Sequence, residues 1–174
     1  MAIGRPPAKR VTERLRILAP NKPLAMRILC FLAAILGLTL SGCNEDTDNR
    51  TDEEKILDYL AENNLDAERD NSGLYYIIEE SGGSARPSIN NNVEVRYKGT
   101  LLNGDVFDQT QGDNTVTFPL SNLIPAWQIG IPLIGRNGSI VLFCPSNLGY
   151  GNRAVGSIPA GSVLIFEIDL VDFN

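Results

Sequence analysis

Alternating apolar and polar residues predict a β-hairpin at residues 93–108, VEVRYKGTLLNGDVFD. Val93, Val95 and Tyr97 alternate with charged residues, which is the period of a strand with one buried face. Asn103-Gly104 supplies two residues that tolerate positive φ, so we expect a tight hairpin turn there. Near one end, the hairpin would present three side chains suited to the floor of a pocket: Tyr97, Phe107 and Asp108.

Four other segments have the pattern of strands. The stretch from about Ser72, SGLYYIIEES, alternates and predicts a first strand, and residues 164–171 alternate in the same way. Ile140–Cys144 is a short apolar run typical of a buried strand. Thr115–Leu120 predicts one more, and Pro119 favours an edge or a bulge because proline cannot donate to a neighbouring strand. The inward face of the last strand would carry Leu164, Phe166, Ile168 and Leu170.

Two short helices are also predicted. Thr51-x-x-Glu54 is a capping box that opens a helix ending at about Asn63. Such a short helix offers little area for a dimer, so we expect it to dock on its own domain, with dimerisation as the alternative. Pro125 suits the first turn of the second helix, and Pro132 keeps that helix short. The apolar faces would hold Ile56, Leu57 and Leu60 in the first helix and Ile124, Trp127 and Ile131 in the second.

Charge is divided sharply between the N-terminus and the remainder of the chain. Residues 1–27 hold seven of the 15 basic residues and one acid, Glu13, a net charge of +6. Since the 174 residues sum to −6, the remainder carries −12. An acidic body disfavours nucleic acid as a partner, because binding phosphates needs a basic face. The basic N-terminus indicates a targeting segment, and the length suits one domain with tails.

Residues 1–43 are predicted to be a lipoprotein signal region. Ile28–Leu40 is an uncharged run, shorter than the roughly 20 apolar residues of a transmembrane helix but typical of a signal peptide. Leu40-Ser41-Gly42-Cys43 resembles the bacterial lipobox, whose cysteine becomes the lipid-modified first residue after cleavage. An uncleaved membrane anchor is the alternative. A start at Met26, which would leave out residues 1–25, also stays open.

After the signal region, residues 44–70 are predicted to be an acidic tether containing the first helix, and residues 71–174 to be the folded domain. The polar segment NEDTDNR at residues 44–50 cannot bury enough apolar surface to fold alone. Cys30 would leave with the signal and Cys43 would carry lipid, so Cys144 would remain without a disulfide partner. Because Cys144 ends an apolar run, we expect a buried structural thiol.

The sequence contains no histidine. This excludes Ser-His-Asp and Cys-His nucleophiles and zinc sites with imidazole ligands, although a lysine or carboxylate base stays open. The motifs of P-loop proteins, dinucleotide-binding folds and zinc proteases are absent as well. We therefore expect no metal and no cofactor.

Five ordered segments resemble the FKBP-type peptidyl-prolyl isomerases over about residues 72–174. They are VxYKGxLxxGxxFD at Val95–Asp108, LIPAW at Leu123–Trp127, GYG at Gly149–Gly151, IPA at Ile158–Ala160 and LIFEIDL at Leu164–Leu170. The resemblance implies an α+β fold, in which an antiparallel sheet of five or six strands curls around one short helix and a ligand pocket lies between them. With the lipobox, the whole chain is similar to a bacterial FKBP-type lipoprotein.

The same resemblance implies the residues of the site. Trp127 would form the base of the pocket, and the backbone N–H of Ile124 would donate to a bound carbonyl. Val116 and Ser157 depart from the family pattern, which favours an aromatic and an apolar residue there, so we expect a less hydrophobic rim and weakened binding of large macrolides. The implied catalytic residues are Tyr97, Phe107, Asp108, Trp127, Tyr150 and Phe166. The implied substrate-binding residues are Val116, Leu123, Ile124 and Ile158.

The function that the resemblance implies is cis–trans isomerisation of X-Pro bonds in proline-containing polypeptides, in support of the folding of exported proteins. An apolar, ring-lined pocket suits this reaction, because rotation about an amide needs no nucleophile, metal or shifted proton donor. A proline-loop binding module or holdase with little isomerase activity is the alternative. We expect a monomer held in the cell envelope by lipid on Cys43, at the outer membrane, with macrolide inhibitors as further ligands.

Overall fold

The computed structural model describes residues 49–174. The predicted signal region, the lipobox residue Cys43 and the start of the predicted tether lie outside the described residues. No helix within residues 49–174 combines the length and apolar character needed to cross a membrane.

Two α-helices and seven strands make up the described part of the chain. The helices are α1, Asp52–Glu62, and α2, Pro125–Gly130. The strands are β1, Glu68–Arg69; β2, Tyr75–Glu80; β3, Asn92–Leu101; β4, Val106–Gln109; β5, Val116–Pro119; β6, Gly138–Cys144; and β7, Leu164–Phe173. Single 3₁₀ turns occupy Leu120–Asn122, Ile131–Leu133 and Ser146–Leu148.

All strand pairs are antiparallel, and the spatial order across the sheet is β1-β2-β6-β7-β3-β4. Strand β3 pairs along its length with β7, whereas its other edge is shared by β5 and β4. Residues 92–95 face β5 and residues 98–100 face β4. The sheet is thus six positions wide, which confirms the predicted antiparallel α+β fold, with the short helix α2 against one face of the sheet.

The main core lies between α2 and one face of the sheet. Alternation along β7 is confirmed, because its even-numbered residues from 164 to 170 are buried on this face. Pro125 is the first residue of α2, as predicted, and Ile131 directly after the helix is fully buried. The buried residues of this core include Val93, Val95, Leu120, Trp127, Ile131, Ile140, Leu142, Leu164, Phe166, Ile168 and Leu170.

Helix α1 packs on a second apolar cluster formed by the alternate residues of the same strands. Its capping box is present: the Glu54 amide donates to the Thr51 hydroxyl at 3.2 Å, and the Thr51 amide donates to Glu54 Oε2 at 2.7 Å. Ile56 and Leu60 are buried, which stabilises the fold by about 1.5–3 kcal/mol for each side chain. The cluster consists of Ile56, Leu60, Tyr75, Val141, Phe143, Val163 and Ile165.

Docking of α1 on its own domain is therefore confirmed, but the predicted apolar face was too wide. Leu57 is 46% exposed, because the residue after Ile56 is rotated by about 100° around the helix and points away from the sheet. Strand β1 was also unpredicted: Glu68 and Arg69 pair with Tyr76 and Tyr75 of β2. Both α1 and β1 fall in the predicted tether, so part of that segment packs on the domain.

The β3–β4 hairpin turns differently from the prediction. Only Gly104 has a positive φ, +89°, while Asn103 does not. The Leu101 amide donates to the Asp105 carbonyl at 3.0 Å, and the Gly104 amide donates to the Leu101 carbonyl at 2.9 Å. These bonds close a three-residue loop in which glycine takes the left-handed position, so the predicted turn with two positive-φ residues was wrong.

Candidate active site

The entry to α2 fixes the base of a cleft between this helix and the sheet. Gln128 Nε2 donates to the carbonyl oxygens of Leu123 and Ser121 at 2.7 and 3.1 Å, which holds the segment before the helix. Ile124 is the N-cap, and its N–H donates no hydrogen bond within the described part of the chain. Trp127, in the first turn, is only 4% exposed and faces the sheet.

Trp127 stands at the centre of a set of rings that meet edge to face. Its ring centroid lies 5.2 Å from that of Tyr97, with an interplanar angle of 80°, and 5.4 Å from that of Phe166, with an angle of 89°. Phe118 lies 6.4 Å from both Trp127 and Tyr97, and Phe107 lies 5.6 Å from Phe166. Edge-to-face pairs at these separations are favourable beyond their buried area, so the rings form a preorganised apolar wall.

Tyr97 and Asp108 place a polar pair at the edge of these rings. The Tyr97 hydroxyl donates to Asp108 Oδ2 at 2.5 Å. The Thr110 amide donates to the Tyr97 carbonyl at 3.0 Å, which ties the start of the next loop to β3. Burial raises the pKa of Tyr97, and the hydrogen bond to Asp108 and its negative charge raise this pKa further. Tyr97 therefore remains a neutral hydrogen-bond donor at physiological pH.

Tyr150 closes the cleft from the loop between β6 and β7. It is partly exposed, and its hydroxyl forms no hydrogen bond within residues 49–174. Desolvation and the charge of Asp108 raise the pKa of Tyr150. Farther along this loop, Val155 and Ile158 exchange two backbone hydrogen bonds of 3.0 and 2.9 Å around a tight turn, which holds Gly156 and Ser157 at the rim.

Together these elements enclose a cleft of about 430 Å³, within the range of small-ligand sites. Nine of the ten predicted site residues line it: Tyr97, Phe107, Asp108, Leu123, Ile124, Trp127, Tyr150, Ile158 and Phe166. The lining also includes five residues that the sequence did not assign to the site: Phe118, Asn122, Val155, Gly156 and Ser157. Ser157 had been noted only as a departure from the family pattern.

Val116 is the predicted residue that does not line the cleft. It pairs with Val95 in the middle of β3 and packs against the core, whereas Phe118 pairs with Val93. Both share a strand face, but Phe118 lies next to the turn that leads into α2 and its ring reaches Trp127. The sequence predicted a rim without an aromatic residue at this strand, and this is corrected, because Phe118 supplies an aromatic ring there. Alternation along Thr115–Leu120 places both residues on one face of the strand, and proximity to the LIPAW segment could have identified Phe118.

Outside the cleft, Cys144 is fully buried at the end of β6, as predicted for a structural thiol. Burial raises the pKa of the Cys144 thiol to about 12, so it remains protonated and unreactive at neutral pH. Within residues 49–174, no group of three or more His, Cys, Asp and Glu side chains is arranged to hold a metal ion.

Comparison with known proteins agrees with this geometry. Residues 83–171 match the family model of the FKBP-type peptidyl-prolyl cis-trans isomerases. The FKBP-type peptidyl-prolyl cis-trans isomerase FkpA of Aeromonas hydrophila is 36% identical over 135 residues, which cover 76% of this chain and 50% of that protein. The chain spans about half or less of the length of the curated relatives that it matches.

Solved structures share the same architecture. The crystal structure of FkpA from Escherichia coli has a TM-score of 0.65 and 32% identity, covering 71% of this chain and 59% of that one. A peptidyl-prolyl cis-trans isomerase from Pseudomonas syringae has a TM-score of 0.61 and 25% identity, covering 71% of this chain and 93% of the other. On the family-model match across half of its length, the chain belongs to the FKBP-type peptidyl-prolyl cis-trans isomerase family.

Proposed function

We propose that this protein catalyses cis–trans isomerisation of X-Pro bonds in polypeptides, using the cleft between α2 and the sheet. The observation that carries the proposal is the convergence of five aromatic rings, with Trp127 at their centre, on one open cleft of about 430 Å³. A proline side chain is an apolar ring, and its amide nitrogen carries no hydrogen, which suits such a lining. Membership of the isomerase family supports the same activity.

The reaction requires selective stabilisation of a twisted amide. Rotation about a peptide bond crosses a barrier of about 18–20 kcal/mol because it breaks amide resonance. The planar amide is the more charge-separated form, so water stabilises it more than the twisted form. An apolar cleft removes that preference, and its shape can favour the twisted geometry. Each 1.4 kcal/mol of such selectivity gives about a tenfold increase in rate.

The site residues divide this work between apolar contact and hydrogen bonding. Trp127 would support the proline ring from below, with the rings of Tyr97, Phe107 and Phe166 as walls. The Ile124 N–H has no acceptor within the described residues, so it is available to a substrate carbonyl. Asp108 and the Tyr150 hydroxyl would face the polar backbone of the substrate. The apolar lining is completed by Leu123, Ile124, Phe118 and Ile158.

The substrates that we propose are exported polypeptides, and the site of action is the cell envelope. This part of the proposal rests on the sequence: a basic N-terminus, an apolar run and the lipobox that ends at Cys43. Lipid on Cys43 would hold the domain of residues 71–174 at a membrane through the acidic segment, with the outer membrane as its destination. Mass spectrometry of the N-terminal peptide from envelope fractions tests this. A Cys43 without lipid, or a chain that is not cleaved before Cys43, would contradict the proposal.

A proline-loop binding module with little isomerase activity is the second candidate. Ser157, Gly156 and Asn122 add polar side chains and exposed backbone to the lining of the cleft, which favours holding an extended backbone over enclosing a proline completely. This candidate predicts peptide binding without rate enhancement.

The deciding experiment compares the unmodified chain with the double variant Trp127→Leu/Phe107→Ala on a proline peptide in a protease-coupled assay. We expect catalysis by the unmodified chain and its loss in the variant, since the base and one wall of the cleft are removed. Normal turnover by the double variant would refute the assignment of the site. Binding without turnover by the unmodified chain would favour the binding module.

A further inference from the structure

We propose that Asp52, in the first turn of α1, is a positioning residue for the Tyr150 side of the cleft. This inference rests on the proposed isomerase function for its effect on activity. Asp52 and α1 lie before residues 83–171, which match the family model, whereas Ser146 and Tyr150 lie within them. The contact therefore joins the segment before the match to the matched domain.

The contact that carries the proposal joins residues 94 positions apart in the chain. Asp52 Oδ2 accepts a hydrogen bond of 2.8 Å from the backbone N–H of Ser146, in a partly buried setting. Ser146 begins a single 3₁₀ turn that has no side-chain cap of its own, since Pro145 precedes it. The carboxylate therefore caps this turn from another element, as an acidic side chain does at a helix N-terminus.

The same residue, Ser146, holds the backbone on both sides of Tyr150. Its carbonyl oxygen accepts from the Gly149 amide at 3.0 Å and from the Gly151 amide at 2.7 Å. The Gly151 carbonyl in turn accepts from the Gly161 amide at 2.9 Å, close to the start of β7. Displacement of Ser146 would therefore move the segment that carries Tyr150, whose side chain lines the cleft.

Helix α1 gives Asp52 a fixed position from which to act. The neighbouring Glu53 accepts hydrogen bonds from the Tyr75 hydroxyl at 2.8 Å and from Arg69 Nε at 3.1 Å. Ile56 and Leu60 are buried against the sheet in the following turns. Helix α1 thus braces the cleft from the opposite face of the sheet, through the charged hydrogen bond between Asp52 and Ser146.

The first test measures backbone hydrogen exchange in the full chain with Asp52→Ala, Asp52→Asn and Asp58→Ala. Asp58 lies on the same helix and pairs with exposed Arg50 at 2.6 Å, so it controls for loss of a negative charge from α1. We expect the amides of Ser146, Gly149 and Gly151 to exchange about tenfold faster in Asp52→Ala, because a charged hydrogen bond is lost, with β6 amides unchanged. Asp52→Asn, which keeps an acceptor oxygen, should recover most of the protection. Unchanged exchange in Asp52→Ala would overturn the proposal.

The second test is a double-mutant cycle on kcat/KM with Tyr150→Phe. Asp52→Ala should lower kcat/KM by roughly three- to tenfold, and Asp58→Ala should leave it unchanged. If Asp52 acts through Tyr150, its effect should shrink in the Tyr150→Phe background, since interacting residues are not additive. A full effect in that background, or none in the parent, would overturn the positioning role. A parent chain without isomerase activity would overturn the proposed function instead, and the exchange result alone would then decide the role of Asp52.

Discussion

Gly99→Ala should displace a wall of the cleft. Gly99 is buried in β3, opposite Asp108 of β4 and Phe166 of β7. A Cβ atom at this position would come within 2.5 Å of Phe107 Cζ and 3.2 Å of Phe166 Cε1. The first distance is far below van der Waals contact, so the Phe107 ring must move. Gly99 is not among the positive-φ residues, and its conformation therefore accepts alanine.

The size of the destabilisation follows from the close approach to Phe107 and from the backbone conformation of Gly99, which accepts alanine. Insertion of a methyl group into a packed core costs about 1–3 kcal/mol. Without the Phe107 ring, the same substitution should be close to neutral, because the small shift of Phe166 that its 3.2 Å contact requires is offset by about 0.4–1 kcal/mol from the restriction of the unfolded chain by alanine. Gly99→Ala should thus destabilise the parent protein and not the Phe107→Ala variant, with a coupling energy of about 2 kcal/mol.

Urea unfolding of the parent, both single variants and the double variant measures this coupling, and a proline-peptide assay run in parallel measures kcat/KM. We expect at least about a tenfold loss of kcat/KM in Gly99→Ala, from displacement of Phe107. Equal destabilisation by Gly99→Ala with and without the Phe107 ring would refute the reasoning, because the cost would then arise from the backbone.

Phe118→Ala should lower kcat/KM by about tenfold, since it removes a ring that contacts Trp127. The matched Val116→Ala should leave kcat/KM nearly unchanged. A larger loss of kcat/KM in Val116→Ala than in Phe118→Ala would restore the sequence-based assignment of Val116 to the site. The pKa of Tyr97 is raised in the folded state. The stability that this tyrosine contributes is therefore fully present below its unfolded pKa of about 10. That stability is lost as the pH rises through the folded pKa. Tyr97→Phe should remove this part of the decrease in the free energy of unfolding at alkaline pH. An identical dependence on pH in the parent and the variant would contradict the raised pKa of Tyr97. Cys144→Ser should destabilise the fold by about 1–3 kcal/mol, because a hydroxyl replaces a thiol in an apolar core; rapid labelling of the native Cys144 thiol would show instead that it is accessible.

Much of the fold was predictable because periodicity and capping act locally. The Thr51–Glu54 capping box predicted the start of α1, and the predicted end at about Asn63 lies one residue beyond Glu62. The alternation of β7 predicted its core face, since a strand with one face buried against α2 must repeat every two residues. The apolar run of β6 has both faces buried, by α2 and α1, and this explains why Ile140–Cys144 shows no alternation.

The errors arose where tertiary position decides between similar residues. Val116 and Phe118 share a strand face, and only the path of the chain into α2 brings Phe118 to Trp127. The Asn103-Gly104 pair fits two hairpin types, and the register between β3 and β4 selects the one that needs a single positive φ. The link from Asp52 to Ser146 spans 94 residues, and no local pattern signals such a contact.

The central claim is that the ring-lined cleft rotates prolyl amides without acid–base or metal chemistry. The most direct measurement is NMR exchange spectroscopy of a proline peptide with a catalytic amount of the full chain, between about pH 6 and pH 9. We predict cis–trans exchange peaks that are strong with the unmodified chain, constant across this pH range, and absent with Trp127→Leu/Phe107→Ala. Exchange that persists in the double variant, or that never rises above the uncatalysed rate in the unmodified chain, would contradict the account.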